Sequence, residues 1–227
     1  MENKVIGIEG YVGAGKTAIC KNLLNKIPNS ILLEGGNLYR SIVYALMQSG
    51  INLNELKKNM NNVDIKDIME KLKIELKIEN RDTVFYINGK RVNDEDIQSK
   101  ESSIAVSEIG KIADNKNLFE FGKNLINYFK LQHNVIVSGR ALMEIYPELD
   151  YHIFVIASLD ERVKRKCIQY NGTCNEEEIR QNIVERDNLQ EASGFYKIYD
   201  KTIVVDVTNC KTVEEATNLI LNRIGVL

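Results

Sequence analysis

Hydrophobic residues in this chain cluster in short runs, and each run is followed by a stretch with helical periodicity. The runs occupy residues 5–8, 31–33, 135–137, 153–156 and 202–205. Buried strands of a parallel sheet are uninterrupted apolar segments, and crossover helices connect them. We therefore predict an α/β fold, a doubly wound parallel sheet of about five strands with helices on both faces.

One region has a different pattern. Residues 72–78 and 83–87 alternate apolar and charged side chains, and an Asn-Gly pair follows at residues 88–89. Such alternation predicts antiparallel strands with one solvated face, and Asn-Gly favours a tight turn. The flanking residues 52–71 and 94–132 have amphipathic helical patterns. We predict a small antiparallel and helical insertion in the parallel fold.

The composition is that of an ordinary globular protein, with 227 residues, 44% of them hydrophobic, and a formal net charge of -2. This balance argues against non-specific binding to nucleic acid or to membrane surfaces. We find no signal-peptide pattern and no apolar run of the roughly 18 residues that a membrane span needs, so we expect a cytoplasmic monomer. The four cysteines form no Cys-x-x-Cys pair and the two histidines lie far apart, so we expect no zinc site.

The strongest chemical signal is the segment Gly-Tyr-Val-Gly-Ala-Gly-Lys-Thr at residues 10–17. It follows a predicted strand that ends at Glu9 and precedes a helical pattern, which is the context that a phosphate-binding P-loop requires. Its glycines allow successive backbone amides to point at phosphate oxygens, and the following helix directs its positive end at the same anion. The residues predicted to bind a triphosphate are Gly10, Gly13, Ala14, Gly15, Lys16 and Thr17.

The chemistry expected of this loop is that of a P-loop NTPase fold. Lys16 would neutralise charge on the β- and γ-phosphates, and the hydroxyl of Thr17 would ligate Mg²⁺. The loop alone does not separate a kinase from an ATPase, a GTPase or a nucleotide sensor. No Asn-Lys-x-Asp motif follows a predicted strand, and residues 135–137 lead into Ser-Gly-Arg rather than an acidic pair. These absences argue against a GTPase and a motor ATPase.

Arginines lie at the ends of several predicted elements. They are Arg40, Arg140, Arg162, Arg165 and Arg186. Transfer of a phosphoryl group between two anions needs cations that screen their repulsion and stabilise the moving charge. The distribution therefore favours a protein that binds two phosphorylated groups.

Taken in order, these features resemble the bacterial cytidylate kinases over nearly the whole chain. Besides the P-loop, the resemblance is carried by five short segments. They are residues 33–40 (Leu-Glu-Gly-Gly-Asn-Leu-Tyr-Arg), 86–92 (Tyr-Ile-Asn-Gly-Lys-Arg-Val), 137–140 (Val-Ser-Gly-Arg), 156–162 (Ile-Ala-Ser-Leu-Asp-Glu-Arg) and 185–187 (Glu-Arg-Asp). The resemblance implies that ATP, with Mg²⁺, donates its γ-phosphoryl group to CMP or dCMP.

The resemblance also implies a division of the chain and a set of site residues. A core at residues 1–50 and 133–227, with a lid at about 167–186, would surround a monophosphate-binding insertion at residues 51–132. Lys16, Arg140 and Arg186 are implied to be catalytic. Arg162 and Arg165 are implied to lie toward ATP. The residues implied to contact the acceptor are Arg40, Gly36, Ser107, Lys116, Ser138, Gly139, Arg140 and Arg186, with Ser107 on the cytosine.

The chain differs from the family at positions that are expected to recognise the acceptor nucleotide. Ser138 and Ala141 stand where the family has aspartates, which removes one carboxylate near the metal and one on the cytosine amino group. Lys116 stands in place of an arginine, and therefore offers a point charge instead of a planar fork. Gln190 and Ser193 stand for an aspartate and an arginine.

Glu9 and Glu34, each at the end of a predicted strand, are candidates for the missing metal ligand. The alternative for either is an ion pair with Lys16 or Arg40. Three functions stay open at this stage. The chain phosphorylates CMP or dCMP, it phosphorylates another small phosphate or alcohol, or it is a non-catalytic ATP-binding regulatory module.

Overall fold

A computed structural model describes residues 2–49, 65–93, 97, 116–170 and 175–225. The strands found in these ranges are β1 (Val5–Gly10), β2 (Ser30–Glu34), β3 (Ile74–Glu79), β4 (Asp82–Ile87), β5 (Lys90–Arg91), β6 (Asn134–Ser138), β7 (Tyr151–Ile156) and β8 (Thr202–Asp206). The helices are α1 (Lys16–Lys26), α2 (Gly35–Gln48), α3 (Ile65–Lys71), α4 (Lys116–Lys130), α5 (Leu142–Ile145), α6 (Leu159–Gln169), α7 (Glu176–Ala192) and α8 (Val213–Arg223).

The strands form one sheet in the order β3-β4-β2-β6-β1-β7-β8, with β5 paired to β4. The five strands from β2 to β8 in this order are parallel to one another. They are the five strands that the hydrophobic runs predicted, so the α/β prediction is confirmed. Because parallel strands end at the same edge, the loops after β1, β2 and β6 lie side by side. In the register of the sheet, Ser138 is opposite both Ile8 and Glu34.

Both faces of the parallel strands are buried, which explains their uninterrupted apolar sequences. On one face, Ile6 and Ile8 pack in a cluster with Leu23 of α1 and Ile220 of α8. On the other face, Val5 belongs to a cluster that includes Ile126 of α4. Helices therefore cover both sides of β1, and the strand end that leads into residues 10–17 is held between two cores.

The insertion is antiparallel as predicted, since β3 pairs with β4 along its whole length. Asn88 and Gly89 have φ angles of 51° and 74°, as the predicted tight turn requires. The sequence did not predict that β4 pairs with β2, at Leu32 and Asp82, so that the hairpin extends the main sheet. The predicted helical segments are helical at residues 65–71 and 116–130. Residues 52–64, 94–96 and 98–115 of these segments, and residues 171–174 of the expected lid, lie outside the described residues. The division into core, insertion and lid stays a prediction.

Candidate active site

The loop at residues 10–17 joins the buried end of β1 to the first turn of α1. Gly10 has a φ of 144°, and a side chain there would bring a Cβ within 2.1 Å of the carbonyl oxygen of Val155. Gly15 has a φ of 94° and directly precedes α1. Both positions exclude residues with a side chain, for different reasons, and the backbone amides that follow Gly15 belong to the positive end of α1.

The Lys16 side chain folds back over this loop. Its ammonium group donates to the carbonyl oxygens of Gly10 at 2.7 Å and Tyr11 at 2.9 Å. Burial, and then the nearby charge of Arg140, lower the pKa of Lys16 to about 8. An incoming anion would have to replace the two carbonyl oxygens as the partner of this ammonium group.

Arg162 of α6 holds the loop by hydrogen bonds to backbone carbonyl oxygens. Its buried guanidinium donates from Nη1 to the carbonyl oxygen of Val12 at 3.1 Å and from Nε to that of Ala157 at 3.1 Å. It also forms an ion pair with Asp187 of α7, which accepts from the Val12 amide at 3.1 Å. Val12 is therefore held on both of its peptide groups by one buried ion pair.

Arg165 braces the next part of the loop. Its Nη1 donates to the carbonyl oxygen of Ala14 at 3.3 Å, and its Nη2 donates to that of Val207 at 2.8 Å. Its Nε donates to Glu161 at 3.0 Å. Arg162 and Arg165 thus donate their hydrogen bonds to protein groups. This favours a role in positioning the loop for both residues over direct contact with ATP.

Three further arginines from separate elements share the space in front of the loop. Arg40 lies in α2, Arg140 follows β6, and Arg186 lies in α7. Burial is the main reason that the pKa of Arg140 is lowered to about 10. Tyr196 opposes this shift, and the positive charges of Arg186 and Arg40 add to it. Desolvation and then Arg186 also lower the pKa of Arg40. The positive charge of Arg186 therefore disfavours the charged form of both Arg40 and Arg140.

None of these three arginines has a carboxylate within ion-pair distance in the part of the chain that the structure describes. The Nε of Arg40 is buried and has no hydrogen-bond partner there. A buried donor without a partner is costly, and mutually repelling guanidinium groups add to that cost. The arrangement is therefore suited to an anion that accepts hydrogen bonds from several arginines.

The other predicted acceptor residues are distributed around this cluster. Gly36 is exposed, and a Cβ added there would meet no atom within 4 Å. The Gly139 amide donates to the carbonyl oxygen of Ile8 at 3.3 Å. Ser138 ends β6 at the same sheet edge. Lys116 is the first residue of α4, and Ser107 lies outside the described residues.

The two candidate metal carboxylates have other partners. Glu9 is 3% exposed and accepts from the amide of Leu142 at 2.6 Å, and its second oxygen lies 3.2 Å from Nε2 of His152. Glu34 accepts from the side-chain amide of Asn37. Neither forms the ion pair with Lys16 or Arg40 that the sequence left open. This geometry does not favour Glu9 as a metal ligand.

Sequence reasoning missed several residues that shape the site. Tyr11, Phe154 and Tyr196 form a cluster of edge-to-face rings, with 4.9 Å between the centroids of Tyr11 and Tyr196. The Tyr196 hydroxyl donates to Asp187 at 2.8 Å. Asp187 belongs to the Glu-Arg-Asp segment at residues 185–187, which carries part of the family resemblance. The positions of Tyr196 and His152 in the site have no signal in the sequence pattern, because they depend on contacts between distant elements.

A cavity of about 230 Å³ lies between α6 and α7, beside the loop. Its wall combines apolar side chains with two cations and one carboxylate. The lining residues are Val12, Lys166, Tyr170, Glu178, Ile179, Asn182, Ile183 and Arg186. The cavity joins the loop at Val12 to the arginine cluster at Arg186, and so it belongs to the same site.

A P-loop after the central strand of a doubly wound parallel sheet, facing a cluster of arginines, defines a P-loop phosphotransferase. The family model described as "Cytidylate kinase" matches residues 6–225. The chain belongs to the cytidylate kinase family, as the sequence landmarks predicted.

Relatives of this chain match over nearly all of their length. A cytidylate kinase from Clostridioides difficile is 29% identical, with 100% of both chains covered. One from Aquifex aeolicus is 30% identical, covering 96% of this chain and 95% of the relative. One from Thermosipho africanus is 31% identical, covering 95% and 92%. Family membership makes this chain an ATP-dependent nucleoside monophosphate kinase.

The described residues contain no helix that is long and apolar enough to cross a membrane. They also contain no group of three or more histidine, cysteine or acidic side chains that could hold a metal ion.

ATP affinity should fall as the pH rises above about 8. The pKa of Lys16 is about 8 in the free protein, and a bound triphosphate favours the charged ammonium and raises that pKa. Binding above pH 8 then requires proton uptake, and the Kd should rise by up to about tenfold per pH unit. Equilibrium binding of ATP between pH 7 and 9.5 measures this dependence, and ATP itself does not titrate there.

The matched control for this titration is Lys16→Arg, which keeps the positive charge throughout the same range. It should bind more weakly than the wild type at pH 7 and show a flat pH profile. A wild-type Kd that does not change between pH 7 and 9.5 would contradict the assignment of Lys16.

Loss of one partner of the buried Arg162–Asp187 pair should be costly. Arg162→Met leaves Asp187 without its cation and Val12 without a donor, and we expect a loss of about 3 kcal/mol in the free energy of unfolding. The control is Arg180→Met, which removes an ion pair between the same two helices, with Asp160, that is largely exposed. It should cost less than about 1 kcal/mol. Urea unfolding compares the two, and equal losses would show that the buried pair has no special importance.

Proposed function

We propose that this chain transfers the γ-phosphoryl group of ATP, bound with Mg²⁺, to CMP or dCMP. One observation carries the proposal. Arg40, Arg140 and Arg186 come from three elements and share the space before the P-loop, with no carboxylate partner among the described residues. A site for ATP alone needs no second cluster of cations, whereas a phosphorylated acceptor does.

The donor half of the site would act mainly by position. The loop amides and Lys16 would hold the β- and γ-phosphates, with the ammonium group released from the carbonyl oxygens of Gly10 and Tyr11. Arg162, Asp187 and Arg165 would keep the loop in the shape that accepts the triphosphate. Since phosphoryl transfer requires little covalent chemistry from the protein, this fixed geometry supplies much of the rate.

The site fits Mg²⁺ that arrives with the nucleotide. Thr17 is exposed at the start of α1, next to Lys16, and its hydroxyl makes no hydrogen bond within the described chain. Mg²⁺ bound in this way keeps several waters and takes one or two protein oxygens besides the phosphates. Thr17 would hold the ion, and the ion would neutralise charge that develops on the phosphates.

The acceptor half would hold the monophosphate with Arg40, Arg140 and Arg186. Guanidinium groups match phosphate oxygens in pairs, and the buried Nε of Arg40 offers a donor that has no other partner. No general base is needed, because a nucleotide phosphate with its second pKa near about 6 is already an anionic nucleophile. The arginines would align this anion with ATP and screen the repulsion between the two.

A different monophosphate is the second candidate acceptor, and one observation favours it. Ser138 and Ala141 carry no carboxylate, while Glu9 and Asp187 are hydrogen-bonded to protein donors. A cytosine amino group would therefore not find a free carboxylate among these residues. Recognition of CMP would then depend on other contacts to the base. Without such contacts, the site would prefer a base that carries a hydrogen-bond acceptor where cytosine carries its amino group.

A coupled assay of ADP release with ATP and Mg²⁺ tests the proposal across CMP, dCMP, UMP, AMP and dTMP. We expect CMP and dCMP to give the highest kcat/KM. Preference for another monophosphate would overturn the cytosine specificity but leave the kinase assignment. If no monophosphate raised ADP release above the ATP-only blank while ATP still bound, the whole acceptor assignment would fail.

Variants at Ala141 sharpen this assay. Ala141 has a φ of 52°, a conformation that aspartate and asparagine adopt more readily than alanine does. Ala141→Asp restores a carboxylate and should raise kcat/KM for CMP relative to UMP by about tenfold. Ala141→Asn has the same shape without the charge, and it should leave that ratio within about twofold of the wild type.

A further inference from the structure

A buried chain of hydrogen bonds runs across three strands next to Arg140. The Glu9 carboxylate lies 3.2 Å from Nε2 of His152, and Nδ1 of His152 lies 2.8 Å from the Thr202 hydroxyl. The Thr202 oxygen also accepts from the Tyr199 amide at 2.9 Å. His152 is 1% exposed and Glu9 is 3% exposed, so water does not replace these partners. None of these four residues contacts ATP or the acceptor in the proposed phosphoryl transfer.

One arrangement of protons gives every donor in this chain an acceptor. The Tyr199 amide donates to the Thr202 oxygen, and the Thr202 hydroxyl donates to Nδ1 of His152. His152 then carries its proton on Nε2 and donates it to Glu9. One oxygen of Glu9 is therefore satisfied by an imidazole that the neighbouring strand and its hydrogen bonds hold in one orientation.

The second oxygen of Glu9 holds the turn that carries Arg140. It accepts from the Leu142 amide at 2.6 Å, the first amide of α5 and two residues after Arg140. Between them, Ala141 has a φ of 52°, in the left-handed region that an alanine adopts only at a cost. The hydrogen bond that the Leu142 amide donates to this buried carboxylate stabilises the turn and therefore the position of Arg140.

Glu9 and Arg140 form no ion pair, but the Leu142 amide that Glu9 accepts from lies only two residues after Arg140. Glu9 also acts on Arg140 through its charge, although burial and the neighbouring arginines have larger effects and lower the pKa of Arg140. A buried carboxylate oxygen that loses its donor must find another. Arg140 has no carboxylate partner in the described chain, so it is available as that donor. An ion pair between Glu9 and Arg140 would occupy the guanidinium on which an acceptor phosphate depends.

We propose that His152 is a positioning residue that holds the Glu9 carboxylate away from Arg140 and so keeps this guanidinium available to the acceptor phosphate. The inference rests on the proposed function, because it takes Arg140 to bind the acceptor. If this is so, loss of the imidazole weakens binding of the acceptor, because the Glu9 carboxylate then pairs with Arg140. Binding of ATP changes little.

The experiment compares His152→Leu with wild type in steady-state kinetics for both substrates. The KM for the acceptor should rise by about tenfold or more, as expected for loss of a charge-assisted hydrogen bond, while the KM for ATP stays within about twofold. His152→Gln retains an amide donor and should restore most of the acceptor KM. Equal increases in both KM values, or a loss of stability with unchanged KM values, would overturn the proposal.

The double variant His152→Leu/Glu9→Gln separates charge from packing. It removes the carboxylate that would pair with Arg140, so its acceptor KM should lie closer to wild type than that of His152→Leu. An acceptor KM as high as that of His152→Leu would show that the charge of Glu9 is not the cause.

A readout without turnover keeps this inference distinct from the proposed function. The Nε–H resonance of Arg140, identified by its loss in Arg140→Lys, should shift in His152→Leu and return in the double variant. A wild type that phosphorylates no monophosphate would end the proposed function, and this resonance would still decide the inference. No shift in His152→Leu would refute it.

Discussion

The positive charges of Lys16, Arg40, Arg140 and Arg186 are held together at one edge of the sheet, and the rest of the site follows from this constraint. Burial is the largest cause of the lowered pKa of Lys16 and of Arg140, and neighbouring arginines lower both values further. The fold must supply the stability that this repulsion removes. It does so with two hydrophobic cores around β1 and with buried hydrogen bonds to the loops that carry the charges.

Two carboxylates near this edge, Asp187 and Glu9, hold the scaffold and form no ion pair with the four cations of the cluster. Asp187 binds Arg162 and the Val12 amide, which fixes the phosphate loop. Glu9 binds the Leu142 amide and lies against His152, which fixes the turn after Arg140. Anions bound at this edge would therefore meet arginines that have no carboxylate partner among the described residues, and a lysine that donates only to carbonyl oxygens. Because Asp187 and Glu9 are already hydrogen-bonded to protein groups, neither is free to accept a hydrogen bond from the base of the acceptor nucleotide.

The sequence predicted the fold and the phosphate loop because both have local signatures. Apolar runs of strand length identified all five parallel strands, and the glycines at 10 and 15 have φ angles that a side chain would rarely adopt. Pairing of β4 with β2 was not predictable, since it depends on contacts between segments far apart in sequence. For the same reason the sequence placed Arg162 near ATP but did not predict its bonds to Val12 and Asp187.

The central claim is that two anion sites face each other across this edge. A bisubstrate ligand in which adenosine and cytidine are joined through five phosphates tests it directly by equilibrium binding. The account predicts a Kd at least about 100-fold below that of ATP, because one ligand then binds the P-loop and the arginine cluster at the same time. Arg140→Ala should remove most of that gain and leave ATP affinity nearly unchanged. Binding no tighter than that of ATP would contradict the account.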